Sequence, residues 1–168
     1  MGEDIHLNII KTNGEIRYNE IFSGRNYRWF DNLQGCGYDD EYSYLHDACL
    51  NFDEITADAA LERHYIESKE LGYYGFHCVT IGDFIKWAET YKPWIKAGWV
   101  NSYDLWRINN KKYVPEEVQT RLTAEDCTAD MHFTEYTDWY DCSKWLLEFI
   151  KEKADIKESD YIIYYFDC

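Results

Sequence analysis

Only two prolines, Pro93 and Pro115, occur in this chain of 168 residues. No Gly/Ser linker, low-complexity tract or internal repeat divides it. These absences exclude a long disordered segment and predict one domain spanning residues 1–168. The N-terminus has no basic region followed by an apolar run, so no signal peptide is expected. No apolar stretch approaches the ~20 residues of a membrane helix. The expectation is therefore a soluble, cytoplasmic protein without membrane contact. None of the six cysteines, Cys36, Cys49, Cys78, Cys127, Cys142 and Cys168, forms a C-x-x-C pair. Their spacing to histidine fits no zinc motif, and they read mostly as free thiols. A Gly-rich phosphate loop, a G-x-S-x-G elbow and an H-E-x-x-H pair are all missing. No metal or cofactor is expected.

Positive charge is also scarce. Seventeen basic residues face 32 acidic ones, for a formal net charge of −15. Such a field repels nucleic-acid phosphate and anionic membrane, which argues against direct DNA or RNA binding. The basic clusters are Arg25 with Arg28 and Lys111 with Lys112. What the chain does have is apolar and aromatic material. Hydrophobic residues make up 46%, enough for a core, and 16 Tyr, 7 Trp and 8 Phe bring the aromatics to 18%. Sixteen tyrosine hydroxyls cannot all find buried partners, so several lie on the surface.

Residues 4–11 and 15–19 alternate around "TNG" at 12–14, a hairpin signal. A short helix beginning near Ser23 or Gly24 would carry Tyr27, Phe30 and Leu33 on one side and end at Gly35. Residues 38–52 read as loop with a helical turn. A helix over Thr56–Leu71 closes at Gly72, and "GFHCVT" at 75–80 is a short strand. Thr80 is placed to cap a helix with Asp83 at its third position and an apolar stripe at Ile81, Phe84, Ile85, Ala88 and Tyr91. Residues 103–117 fit either a second hairpin around Asn109–Asn110 or a helix and loop. Residues 123–135 read as loop. A helix capped by Thr137 runs to Lys153. "YIIYYF" at 161–166 is continuously apolar and β-branched, the pattern of a central strand buried on both faces. The class is α+β: a mixed or antiparallel sheet with the C-terminal strand central and helices packed on it.

Four segments, "MGEDIHLNI", "SGRNYRWFDNL", "GFHCVTIGDF" and the closing "YYFD", resemble a family of small proteins found widely in bacteriophages and prophages. That family opens Met-Gly-x-Asp-Ile-His, carries Gly-Arg-Asn-Tyr soon after, and ends aromatic-Phe-Asp. Its third residue is often small or cysteine, whereas this chain has Glu3. The resemblance carries no activity. It implies a phage or mobile-element product working in a bacterial cytoplasm. The matching polar positions are Asp4, His6, Arg25, Asn26, Tyr27, His77 and Asp167.

If the terminal strands pair, Asp4, His6 and Asp167 meet, with Arg25 and His77 brought in by the next elements. An Asp–His pair can do acid–base work and an arginine can bind phosphate, which gives a phosphoesterase or nucleotide-processing reading. Carboxylate and imidazole also suit divalent ions. In the structural reading, Asp4 bonds Arg25 and His6 satisfies a buried carbonyl, fixing the hairpin to the sheet. His46, His64 and His132 read as surface histidines. The expected function is binding: an acidic accessory protein inhibiting a bacterial protein with a basic groove, of the anti-CRISPR or anti-restriction type. Carboxylates would mimic phosphate, with aromatics adding contact area. Two acidic–aromatic runs are the expected contacts: Asp39, Asp40, Glu41, Tyr42 and Tyr44, then Glu135, Tyr136, Asp138, Trp139 and Asp141.

Overall fold

The Thr12-Asn13-Gly14 loop joins strand β1 (Asp4–Ile10) to strand β2 (Ile16–Gly24). The computed structural model describes residues 4–24, 27–35, 44–90, 95–110, 128–137 and 142–167. Gly14 donates its N–H to Lys11 O at 2.8 Å and sits at φ 83°, while Lys11 N–H donates to Glu15 O at 2.8 Å. This is the three-residue hairpin loop with a left-handed glycine rather than a two-residue Asn-Gly turn. A side chain at position 14 would also strike Ala60, whose Cβ lies 2.9 Å from the place a Gly14 Cβ would take.

Strand β3 (Tyr74–Thr80) and strand β6 (Tyr161–Asp167) complete a four-stranded sheet ordered β2-β1-β6-β3. Every pairing is antiparallel. Strand β6 is interior, as its apolar run predicts. Strand β1 is interior too, paired residue for residue with β6 from Asp4↔Asp167 to Ile10↔Tyr161. The alternation at the N-terminus therefore does not mark an edge strand.

Strand alternation gives the sheet two faces. Ile5, Leu7, Ile9, Ile162, Tyr164 and Phe166 form one, and all are buried. Helix α1 (Tyr27–Gln34) packs here and ends at Gly35, which sits at φ 69°. Among the described side chains of α1, Trp29 and Leu33, spaced i and i+4, are buried and Phe30 is half-buried against Phe166, so Trp29 joins Phe30 and Leu33 of the expected stripe. Trp29 meets Phe22 edge-on, and the Tyr164 hydroxyl donates to Leu33 O at 3.0 Å. Helix α6 (Cys142–Glu152) lies on the same face. Its Ser143 Oγ accepts from Trp29 Nε1, and its Phe149 meets Tyr18.

Helices α2 (Phe52–Ala57) and α3 (Ala59–Glu70) cover half of the other face. Their Ile55 and Leu61 pack with Ile10, Cys78 and Ile163, each such side chain contributing about 1.5–3 kcal/mol. One helix over residues 56–71 was expected. The chain breaks at Asp58, whose carboxylate accepts from Ala60 N–H at 2.8 Å and starts α3 afresh, while Asn51 and Glu54 form a capping box for α2. Thr80 caps helix α4 (Ile81–Thr90) as predicted, its Oγ1 accepting from Asp83 N–H at 3.0 Å.

The chain divides into two compact units, residues 1–91 with 143–168, and residues 92–142. Within the second, strand β4 (Ile95–Asn101) pairs antiparallel with strand β5 (Met131–Thr137). Thus 131–135, expected as loop, are strand, and Thr137 ends β5 rather than capping α6. Between the strands, helix α5 (Ser102–Asn109) starts at an Asn101 cap. The helix alternative holds there, and no hairpin turns at Asn109–Asn110. Val100, Ile108 and Tyr136 make this unit's small core, with Leu105 against it.

Candidate functional site

His6 points to the half of its face that α2 and α3 leave uncovered, yet it is only 9% exposed. Its ring stacks on Tyr73 and Tyr165 at 4.9 and 5.4 Å, and those two tyrosines stack on each other at 4.8 Å. Nδ1 lies 3.1 Å from Glu20 Oε1 and donates to that carboxylate. Nε2 lies 3.4 Å from Asp167 Oδ2 without making a hydrogen bond to it. Asn8 completes the cluster: its Oδ1 accepts from Glu20 N–H at 2.7 Å and its Nδ2 donates to the Tyr165 hydroxyl at 3.2 Å.

Two irregularities bring Glu20 and Tyr73 to this point. In β2, three residues stand opposite the single Asn8, because Leu7 pairs with Phe22 and Ile9 with Tyr18. Glu20 inside that bulge has φ 49°, a left-handed conformation disfavoured for glutamate. Simple alternation would put Glu20 on the face of Tyr18 and Phe22, and the bulge turns it onto His6. In β3, the register shifts between Tyr74 and His77 around Gly75, at φ 62°. Alternation would place Tyr73 beside His77, and the shift moves it beside His6 instead.

The expected five-residue set is not one site. Asp4, His6 and Asp167 share a face and one end of the β1–β6 pair. His77 is on the opposite face, paired through Tyr164 to Leu7 and stacked on the Tyr164 ring at 4.9 Å. Arg25, and with it the expected Asp4–Arg25 pair, lies outside the described residues. His77 Nδ1 donates to Gly75 O, and its Nε2 accepts from His46 Nδ1 at 2.9 Å. Burial, followed by the nearby His46, lowers the His77 pKa against the opposing pull of the Gly75 carbonyl. Beside this pair, Cys49 Sγ sits 3.1 Å from the Tyr164 hydroxyl, and burial pushes its thiol up to about 11. Cys49 and Cys78 are free thiols, and both are too desolvated to be reactive.

Holding the hairpin through a buried carbonyl, the role foreseen for His6, belongs to His64. It is buried, and its Nε2 donates to Gly14 O at 2.7 Å beside Arg63 Nη2 at 2.9 Å. His46 and His132 are exposed. Of the expected contact residues, Asp39, Asp40, Glu41, Tyr42, Asp138, Trp139 and Asp141 lie outside the described residues. Tyr44 is half-buried ahead of a 3₁₀ turn at Leu45–Ala48. Glu135 is exposed, but Tyr136 is 5% exposed and packs in the core of the second unit, so it is not a surface contact. Among the described residues there, Tyr103 at 67%, Phe133 at 56% and Trp106 are exposed rings.

Among the described residues, no three His, Cys, Asp or Glu side chains group as a metal site, and no helix is long and apolar enough to cross a membrane. Comparisons with protein-family models, curated proteins and solved structures give no match.

Proposed function

We propose that the protein is an acidic accessory protein of a phage or other mobile element. It works in the bacterial host cytoplasm, where it binds and inhibits a host protein whose basic groove holds nucleic acid, as a restriction enzyme or CRISPR effector does. The observation that carries this reading is the net charge of −15 together with the exposed rings of Tyr103, Trp106 and Phe133. Carboxylates occupy sites built for phosphate, aromatic rings supply apolar area, and the field steers association. The hydrolase reading on Asp4, His6, Arg25, His77 and Asp167 is weaker. The sheet separates its two histidines, and carboxylates and stacked rings already engage His6.

The test is twofold. Expression in a bacterium with an active restriction or CRISPR system should raise survival of incoming plasmid or phage. Purified protein should abolish DNA binding by the captured target while shifting neither duplex nor single-stranded DNA itself. Replacing Asp39, Asp40 and Glu41 with Lys should slow association and flatten its salt dependence. Direct DNA binding at physiological salt, with no target inhibited, would sink the proposal.

A further inference from the structure

The His46–His77 pair lies apart from the His6 cluster and plays no part in the proposed function. His77 has one ring nitrogen fixed: Nδ1 donates to the Gly75 carbonyl, and the ring lies flat on Tyr164 with planes 10° apart. A backbone carbonyl holding the second nitrogen of an imidazole is the usual way a metal-ligating histidine is oriented. That contact leaves the Nε2 lone pair facing His46, 2.9 Å from Nδ1 of an exposed ring on the 3₁₀ turn. Two nitrogens at about 2.0–2.1 Å from one ion stand about 2.8–3.0 Å apart at a 90° angle and about 3.3–3.4 Å apart at a tetrahedral angle. The observed separation suits adjacent positions of a square or octahedral centre once the exposed His46 ring turns so that the two lone pairs converge on the ion instead of on each other.

We infer that His46 Nδ1 and His77 Nε2 form a two-histidine clip for a divalent transition ion of tetragonal preference, Cu²⁺ or Ni²⁺, with water filling the remaining positions. Binding displaces the proton that His46 Nδ1 donates to His77. His46 loses that proton to solvent and takes one at Nε2, so the pair stays neutral and the charge added is the ion's. His77 brings rigidity, set by Gly75 and Tyr164. His46 brings access, since it is on the surface.

The test is titration of the full chain with Cu²⁺, followed by two-dimensional amide NMR and electron paramagnetic resonance. The expected result is paramagnetic broadening that begins at residues 45–49 and 75–79 below one equivalent, with a nitrogen-coordinated copper signal. His46→Ala should melt like the wild type and weaken binding at least tenfold. His77→Ala should do the same if it folds, and His46→Ala carries the test if it does not. Two results overturn the inference: broadening that begins elsewhere, or affinity unchanged in His46→Ala. Either would mean a neutral hydrogen bond between two imidazoles and adventitious copper only.

Discussion

Replacing His6 by Phe and by Ala separates what its ring does from what its nitrogens do. His6→Phe keeps the stacked ring against Tyr73 and Tyr165 and removes the contacts to Glu20 and Asp167. Both carboxylates have side chains 39% exposed and can return to water, so the loss is about 1 kcal/mol after screening. His6→Ala also loses two ring pairs, at about 0.5–1.5 kcal/mol each, and leaves a void beneath Tyr165, for a total of about 3 kcal/mol. Urea unfolding followed by circular dichroism, with the slope held constant between variants, reads both values. If Phe costs as much as Ala, the nitrogen contacts dominate and the stacking argument is wrong. If both variants melt like the wild type while the biological effect disappears, His6 is a functional group rather than a structural one.

Three further outcomes follow from the fold. Ile163→Asp should abolish cooperative folding: Ile163 is buried between Asn8 and Cys78, and an unpaired buried carboxylate costs several kcal/mol on top of the lost apolar contact. A soluble, cooperatively melting variant would place the strand outside the core. Gly75→Ala should cost at least ~2 kcal/mol, because position 75 sits at φ 62° and a Cβ there would approach Phe166 to 2.7 Å and Gln34 to 2.5 Å. Weakened Tyr73 fluorescence coupling to its neighbours should accompany that loss, and unchanged stability would refute the account of the bulge. Hydrogen bonds from Lys86, then Thr80, lower the Asp83 pKa, so its stabilisation is complete above about pH 4 and is lost as pH falls through the lower native value. The cost of Asp83→Asn, read from urea midpoints, should therefore shrink on going from pH 7 to pH 3, and a cost that grows would contradict this sign.

Local rules made much of this fold legible. Thr80 capping α4, glycines at the ends of α1 and α3, the 4–24 hairpin and the apolar run of β6 all stand where propensity and pattern put them. The Asp58 break was also written locally, as an acid ahead of Ala-Ala-Leu-Glu, but the long apolar period on either side hid it. Strands β4 and β5 were missed because a two-stranded sheet leaves one face open, and exposed Phe133 and Glu135 obscure the alternation of Thr134 and Tyr136. The His6 cluster was half legible. Asp4, His6 and Asp167 follow from pairing the terminal strands. Glu20 and Tyr73 do not, because each reaches the cluster through a bulge that overrides strand alternation, and parity counted along the sequence assigns both to the wrong face. Only Gly75 hinted at the second bulge. His77 was misassigned for the complementary reason: without knowledge of strand order and register, nothing in the sequence says that histidines on the two strands flanking β6 point opposite ways.

The balance between local ion pairs and long-range repulsion decides whether the acidic surface is free to meet a partner. Among the described residues, Lys11, Arg17, Arg63, Lys86, Arg107 and Lys151 sit beside carboxylates of this chain. Such pairs leave the net charge untouched, but they remove cations that could form a phosphate-binding patch. Screening the exposed pairs, those of Lys11, Arg63, Lys86 and Lys151, costs little, because such pairs are individually weak. The opposing term is larger. Two unit charges ~20 Å apart in water repel by about 0.2 kcal/mol, and the fifteen uncompensated charges make about a hundred such pairs. Raising salt from about 0.01 M to 0.15 M shortens the screening length from about 30 Å to about 8 Å and suppresses most of that repulsion, more in the folded chain than in the expanded one. Sodium chloride should therefore raise the urea midpoint over this range. If the midpoint falls instead, the carboxylates are held mainly by internal cations, and the field on which a mimic of phosphate depends is not there.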